Sequence, residues 1–359
     1  MRHREGKRIV LTGGGTAGHV TPNLALIPHL LEAGWEIHYI GTRHGLERGL
    51  VEPLPSVTYH AIHSGKLRRY FSIRNLTDPF RLLVGTWEAQ RLIRRLKPRV
   101  VFAKGGFVSV PVAWGAWLCR APLLLHESDL TPGLANRLCA PLARVICATF
   151  PEAARAVGGK GVCTGTPLRA ELLAGRRDDG LAMCGFTPEK PVLMSVGGSQ
   201  GAASVNAVLR EALPRLTQTF QVLHVCGAGN LDASLEGMPG YRQFEYLKEQ
   251  LPHAYAAADL LLSRAGSNTL SEILALHKPA LLVPYPASAS RGDQIENAHS
   301  LERRGLARVL PQERLTPGAL AEGVASLYAR RGEYIAALET IGNGDGTRDV
   351  LEQIERAAK

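Results

Sequence analysis

The feature that most constrains this chain is a glycine-rich turn that occurs twice. "VLTGGGTAGHVTPNLAL" (Val10 to Leu26) and "VLMSVGGSQGAASVNAVL" (from Val192) each pass from a short apolar run through Gly-Gly-[Ser/Thr]-x-Gly into a helix-like stretch. Placing Gly14-Gly15-Thr16-Ala17-Gly18 over Gly197-Gly198-Ser199-Gln200-Gly201 sets an offset of 183. At that offset Asn23 meets Asn206 and Leu26 meets Leu209. Each copy reads as the first strand–turn–helix unit of an α/β domain, so the chain holds two such domains. Its 359 residues suit two cores better than one. "WEIHYIGT", "RVVFAKGG", "APLLLHES" and "ARVICAT" continue the first half, and "FQVLHVCGAG", "ADLLLSRAG" and "PALLVPYP" the second. Near-continuous apolar runs between helical segments are the mark of buried parallel strands. The expected fold is α/β, with two Rossmann-like domains whose parallel sheets face across a cleft. Ligands in such sheets sit beyond the carboxyl ends of the strands. The boundary is expected within 164–190, where "TGTPLRAELLAGRRDDG" mixes Gly, Pro and charge.

Composition narrows the class. With 45% hydrophobic and 21% charged residues the chain is that of a soluble globular protein. Its six cysteines show no CxxC pair and no metal-ligand spacing, as expected of reduced thiols in a protein that is not exported. Ile9 to Leu11 are too few for a signal-peptide core, and "FVSVPVAWGAWLC" is too short to span a bilayer. The net charge is +10, and residues 64–104 carry almost all of the excess, with eleven Lys and Arg against Asp78 and Glu88. Ile73, Leu76, Phe80, Leu83, Trp87 and Leu92 are interleaved at roughly helical spacing. Such a basic amphipathic stretch suits an anionic membrane surface rather than nucleic acid. Leu83, Trp87 and Leu92 taken singly are expected to face the core, with the charges outside.

Several chemistries can be set aside. Gly13, Gly15 and Gly18 satisfy G-x-G-x-x-G, but the second strand ends "IHYIGTR" without the acid that would hold a dinucleotide ribose. No Gly-Lys-[Ser/Thr] follows, so this is not a Walker loop. Asp-x-Asp and Gly-x-Ser-x-Gly are absent, and Leu130 breaks a His-Glu-x-x-His at His126-Glu127. More informative is "SRAGSNTLSEILALHKPALLVPYP". A strand ends at Ser263, Gly266 turns the chain, and Ser267 to Thr269 open a helix whose free N–H groups favour a pyrophosphate. Glu272, one turn on, could accept both hydroxyls of a ribose. Alternatively Ser267 or Asn268 caps the helix and Glu272 completes a capping box. Asp293, Gln294, Glu296 and Asn297 follow the "LLVPYP" strand, and the Gln and Asn amides suit sugar hydroxyls and an acetamido group; singly the four would be solvated loop positions. His19, at a helix start, is placed either to take a proton from an attacking alcohol or simply to cap or contact phosphate. Glu127 could position an acceptor or share its proton.

Taken in order, "GGGTAGHVTPNLAL", "KGGFVSVP", "HESDLTPGLANRLCAPLA", "TGTPLR", "VGGSQGAASVN", "SRAGSNTLSE" and "DQIENA" resemble the MurG family of N-acetylglucosamine transferases over nearly the whole chain. The resemblance implies a GT-B fold, a metal-free active site and no cofactor, UDP-N-acetylglucosamine (UDP-GlcNAc) being a substrate. It implies inverting transfer of GlcNAc to the C4 hydroxyl of undecaprenyl-pyrophosphoryl-MurNAc-pentapeptide (lipid I), giving lipid II for peptidoglycan. A UDP-sugar epimerase, or a transferase for another lipid acceptor, are the alternatives. Residues 1–164 would form an acceptor and membrane-associated domain and 165–340 the UDP-GlcNAc domain, with a helix at about 341–359 packing back on the first. The donor site would comprise Thr16, Ala17, Gly18, Arg169, Ser199, Leu247, Ser267, Asn268, Thr269, Leu270, Ser271, Glu272 and Gln294. Gly14, Gly15, Gly105 and Gly106 would meet the acceptor diphosphate, with His19 and Glu127 catalytic. Partners would be lipid I, the anionic surface of the cytoplasmic leaflet through 64–104, and other cell-wall enzymes, with no nucleic acid. Ala17 stands where many relatives have Gly, Ser128-Asp129 where many have Gln-Asn, and Thr166 where Asn is frequent.

Overall fold

A computed structural model describes residues 6–65, 74–197, 201–288, 292–341 and 344–359. The chain forms two compact units, Met1–Arg169 with Asp345–Lys359, and Ala170–Gly344. In the first, β1 (Arg8–Thr12), β2 (Glu36–Thr42), β3 (Val57–Ile62), β4 (Val100–Ala103), β5 (Leu123–Glu127), β6 (Val145–Ala148) and β7 (Gly161–Cys163) make one parallel sheet of order β3-β2-β1-β4-β5-β6-β7. Ile9 is in register with Ile37 on one side and Val100 on the other. Both faces of β1 are covered, which is why its apolar run is unbroken. Ile9 and Leu11 enter a core with Leu26 and Leu30 of helix Thr21–Glu32, and Val10 enters the opposite core with Ala89, Ile93 and Val112.

The terminal helix Thr347–Ala357 belongs to this unit. Val350, Ile354 and Ala357, spaced to share one helix face, join the core of Ile9 and Leu11. Gly346 N donates to Thr166 O (3.0 Å) and Leu168 N to Asp345 Oδ1 (3.1 Å), so the chain is stitched to itself where it returns.

In the second unit, β8 (Val192–Val196), β9 (Gln221–Val225), β10 (Tyr241–Phe244), β11 (Leu260–Ser263), β12 (Ala280–Leu282) and β13 (Arg308–Val309) form a parallel sheet of order β10-β9-β8-β11-β12-β13. The same winding therefore occurs twice, each glycine turn leaving the strand at which the order reverses. The matched asparagines do matching work. Asn23 donates to Thr12 O and to the hydroxyl of Tyr39 on β2 (both 3.2 Å). Asn206 donates to Cys226 O (2.7 Å) and pairs with His224 on β9 (2.9 Å). Each latches the first helix to its sheet through a buried amide.

One expectation is overturned. Leu83 and Trp87 lie outside the core, 63% and 58% exposed, with Phe80 at 72%, on helix Arg74–Leu96. Only Leu92 of the three packs partly against it. This helix crosses Ser109–Leu118 so closely that a Cβ on Gly115 would lie 2.8 Å from Gln90 N. Small residues make that crossing and Ala89, Ile93 and Leu96 fill the core beneath, leaving the bulky side chains outside. Trp114, Trp117 and Leu118 of the second helix are exposed as well. Nor is the whole basic segment at the surface, since Lys104 is buried and Asp78 with it. Lys66, Arg68 and Arg69 of that segment lie outside the described residues.

Candidate functional site

In the first unit the glycine turn is pinned from three sides. Tyr39 Oη donates to Gly13 O (2.6 Å), Gly14 N donates to Gly105 O (3.4 Å), and Gly15 N donates to Glu47 Oε2 (3.2 Å). Gly106, at φ +81°, must be glycine, because a Cβ there would fall 2.1 Å from Gly14 O. Thr16 is extended and exposed, and Ala17–His19 make a short 3-10 turn. The Thr16 hydroxyl meets His19 Nδ1 at 2.9 Å. The imidazole lies along Gly105, where a Cβ would come within 3.1 Å of Cδ2. Gly14, Gly15, Thr16, His19, Gly105 and Gly106 are thus brought together at the carboxyl ends of β1 and β4.

Glu47 is a residue the sequence reading missed. It is fully buried, and besides Gly15 N it accepts from Thr42 N (2.9 Å) and Thr42 Oγ1 (2.6 Å). A Cβ on Gly14, Gly41 or Gly45 would collide with its side chain. The acid was sought at the end of the second strand, but this one reaches the turn from five residues beyond, on helix Leu46–Val51. The available signal was the pair Gly41 and Gly45 flanking it. Glu47→Ala should cost about 2–4 kcal/mol, the range for removing a buried charged acceptor and leaving its donors unpaired. Urea unfolding of the two proteins checks this.

Glu127 closes the next turn. Its Oε1 accepts from Asp129 N (3.0 Å), and its Oε2 accepts from Gly133 N (3.1 Å) and Asn136 Nδ2 (2.8 Å). Asn136, also missed, donates to His126 O as well (3.0 Å). Burial and the Asp129 carboxylate push Glu127 above the usual carboxylate range, while Asn136, the Asp129 amide and Lys104 pull against that shift. Burial holds His126 well below the ordinary histidine range, so it is neutral, and its Nε2 donates to Gly165 O (2.8 Å). Lys104 Nζ donates to Ser128 Oγ.

In the second unit, helix Ser267–Ala275 opens after Gly266 with no side-chain cap, which removes the capping-box alternative. Glu272 Oε2 instead accepts from the buried Tyr255 hydroxyl (2.6 Å). Leu270 and Ser271 face inward, and Ser271 Oγ bonds back to Ser267 O (2.9 Å), so from these two only main chain can serve a ligand. Asn268 Oδ1 is buried without a hydrogen-bond partner. Gln294 accepts from Tyr285 N (3.2 Å), and its amide lies beside Gly266. Arg264, also missed, is buried at the turn, donating to Val283 O (3.0 Å) and Ser204 Oγ (2.8 Å) with its guanidinium 4.1 Å from the Tyr285 ring centroid. Leu247 is buried in the loop after β10, and Arg169 is exposed at the end of the first unit. Ser199 lies outside the described residues.

Residues 9–147 match the glycosyltransferase family 28 N-terminal domain and 192–353 its C-terminal domain. The chain is 48% identical, over 98% of both chains, to the UDP-N-acetylglucosamine–N-acetylmuramyl-(pentapeptide) pyrophosphoryl-undecaprenol N-acetylglucosamine transferase of Clostridium tetani. It is 49% identical to that of Geobacillus kaustophilus, over 98% of this chain and 99% of the relative. The chain belongs to this transferase family. A crystal structure of Acinetobacter baumannii MurG superposes with a TM-score of 0.79 at 26% identity, covering 98% of this chain and 99% of that one. The calicheamicin glycosyltransferase CalG4, at 15% identity and a TM-score of 0.72 over 99% and 98%, shares the fold alone. The transferase has the GT-B fold, and both of its glycine turns belong to the matched domains.

Proposed function

We propose that this transferase moves GlcNAc from UDP-GlcNAc to the C4 hydroxyl of lipid I, with inversion and with no metal in the step. The observation that carries the reading is the pair of glycine turns at the strand-order reversals of two like-wound units, one beside the His19–Thr16 pair and the other in the unit that carries the Glu272–Tyr255 pair. In the second unit, Glu272, oriented by Tyr255, takes the ribose hydroxyls. The diphosphate meets the opening N–H groups of helix Ser267–Ala275, with Gln294 beside Gly266, Ser199 as a further contact, and Leu247 offering main chain to the uracil. In the first unit, Thr16, Ala17, Gly18 and Arg169 are the donor contacts. The acceptor diphosphate is taken at Gly105 and Gly106, since the N–H groups of Gly14 and Gly15 are already given to Gly105 O and Glu47.

In the tautomer of His19 whose Nδ1–H donates to Thr16 Oγ1, Nε2 is the nitrogen that removes the proton of the attacking hydroxyl. Glu127, committed to three donors, orders its turn and is not the base. The negative charge that grows on departing UDP is offset by the helix end and Arg169. UDP release with labelled donor, with and without lipid I and in the presence of chelator, tests the reading. Acceptor-dependent UDP and a GlcNAc-bearing lipid, both insensitive to chelator, are expected. Donor epimerisation, or release that ignores the acceptor, would refute it.

Phe80, Leu83, Val84 and Trp87, with Trp114, Trp117 and Leu118 of the helix packed alongside, give an exposed apolar face; Arg91, Arg94, Arg95 and Lys97 are exposed on the same segment. No helix among the described residues is long and apolar enough to cross a membrane. The proposed site of action is the anionic inner leaflet, held by this face. Leu83→Glu with Trp87→Glu should weaken sedimentation with phosphatidylglycerol vesicles at least about tenfold, from the burial each side chain forfeits. About 0.5 M salt should weaken the wild type as well. Thermal stability should be kept, because both side chains already face solvent.

A further inference from the structure

We propose that Lys104 is a positioning residue for the transfer: its ammonium, walled in under the first glycine turn and held by Ser128, keeps the turn from Glu127 to Gly133 closed beside His19. This rests on the reading above. Lys104 is only 1% exposed, so it touches no substrate. Its N–H donates to Thr12 O (2.9 Å), tying the end of β4 to the end of β1, and a Cβ on Gly13 would lie 3.2 Å from its own Cβ. The next residue, Gly105, carries the His19 ring. Among the described residues Lys104 makes no ion pair, and Ser128 Oγ is the partner of its Nζ.

A buried ammonium without a carboxylate in contact is expensive, and an apolar residue of equal length would serve stability better. The charges around it explain its presence. Glu127 and His126 face it from β5, Asp129 from the following loop and Cys147 from β6. His126 is neutral, and burial lifts the Cys147 thiol to about 12, so the two carboxylates are the charges that matter. Placed in one turn, they repel each other, and Asp129 pushes Glu127 towards its protonated form. Lys104 opposes that push. It also balances Asp129, an acid that would otherwise disfavour a diphosphate nearby. Lys104, Ser128 and Asp129 thus form one unit: cation, hydroxyl acceptor and counter-charge.

Burial lowers the Lys104 ammonium to about 8, with Glu127 and Asp129 drawing it back up. The charge is therefore present at neutral pH and lost above about 8. The test is the pH profile of kcat and kcat/KM for lipid I in the wild type, Lys104→Met and Ser128→Ala, with donor KM and melting temperature alongside. The wild type should show an alkaline limb near pH 8. Lys104→Met should lose about tenfold or more in kcat at pH 7, lose that limb, and show its acidic limb at higher pH, with donor KM little changed. Ser128→Ala keeps the cation but removes its acceptor, so its alkaline limb should move to lower pH. Lys104→Met with a wild-type profile and only a lower melting temperature overturns the proposal. So does an unmoved limb in Ser128→Ala, which decides the matter if Lys104→Met does not fold. A wild type without acceptor-dependent turnover would instead sink the functional reading itself.

Discussion

His19→Ala should lower kcat by about 10²- to 10⁴-fold, the usual worth of a positioned general base. Donor affinity should hardly change, because the loss falls on proton removal in the transition state rather than on ground-state binding. The imidazole is only half-buried and is bonded to the exposed Thr16 hydroxyl, so folding should survive its removal. Single-turnover rates with saturating UDP-GlcNAc and lipid I, beside calorimetric titration of the donor, separate the two quantities. A full rate with unchanged affinity would take the base role away from His19. A collapse of donor affinity with a normal single-turnover rate would make it a binding residue instead.

The second large effect is expected at Glu272. Glu272→Ala should raise the donor KM about tenfold to a hundredfold, as the loss of hydrogen bonds to a charged acceptor implies, with kcat much less affected. Part of the change would be structural, because the buried Tyr255 hydroxyl loses its acceptor. A donor lacking the ribose 2′-hydroxyl separates the contributions. The wild type should bind it more weakly than UDP-GlcNAc, whereas Glu272→Ala should bind both alike. Equal discrimination by the two proteins would show that this carboxylate does not read the ribose.

The parts of this molecule legible in its sequence are those set by short windows of chain. The doubled glycine turn, the unbroken apolar strands and the start of the helix at Ser267 follow from backbone geometry and local hydrophobic pattern; each apolar run is a strand of the two sheets, whereas the edge strands β3, β7, β10 and β13 were not read. Asn23 and Asn206 were visible as a matched pair, though not as latches. The candidate site residues were legible to the extent that they sit on those turns. Glu47 and Asn136 were not, because each serves a turn other than its own. Glu272 was legible as an acid one turn into a helix, but its partner Tyr255 comes from a different element.

Leu83 and Trp87 show the same limit from the other side. Helical spacing marked an apolar stripe, and it was the close crossing at Gly115 that decided which stripe faces the core. Lys104 stood in a run of cations and looked like one more surface charge until the sheet closed over it. By itself the sequence determined two like-wound α/β units and the glycine turns that follow their first strands, because dihedral freedom and apolar periodicity are properties of a few consecutive residues. Only the tertiary structure decided which charges are enclosed and what they touch, because burial and partnership depend on segments that meet after folding and are far apart along the chain.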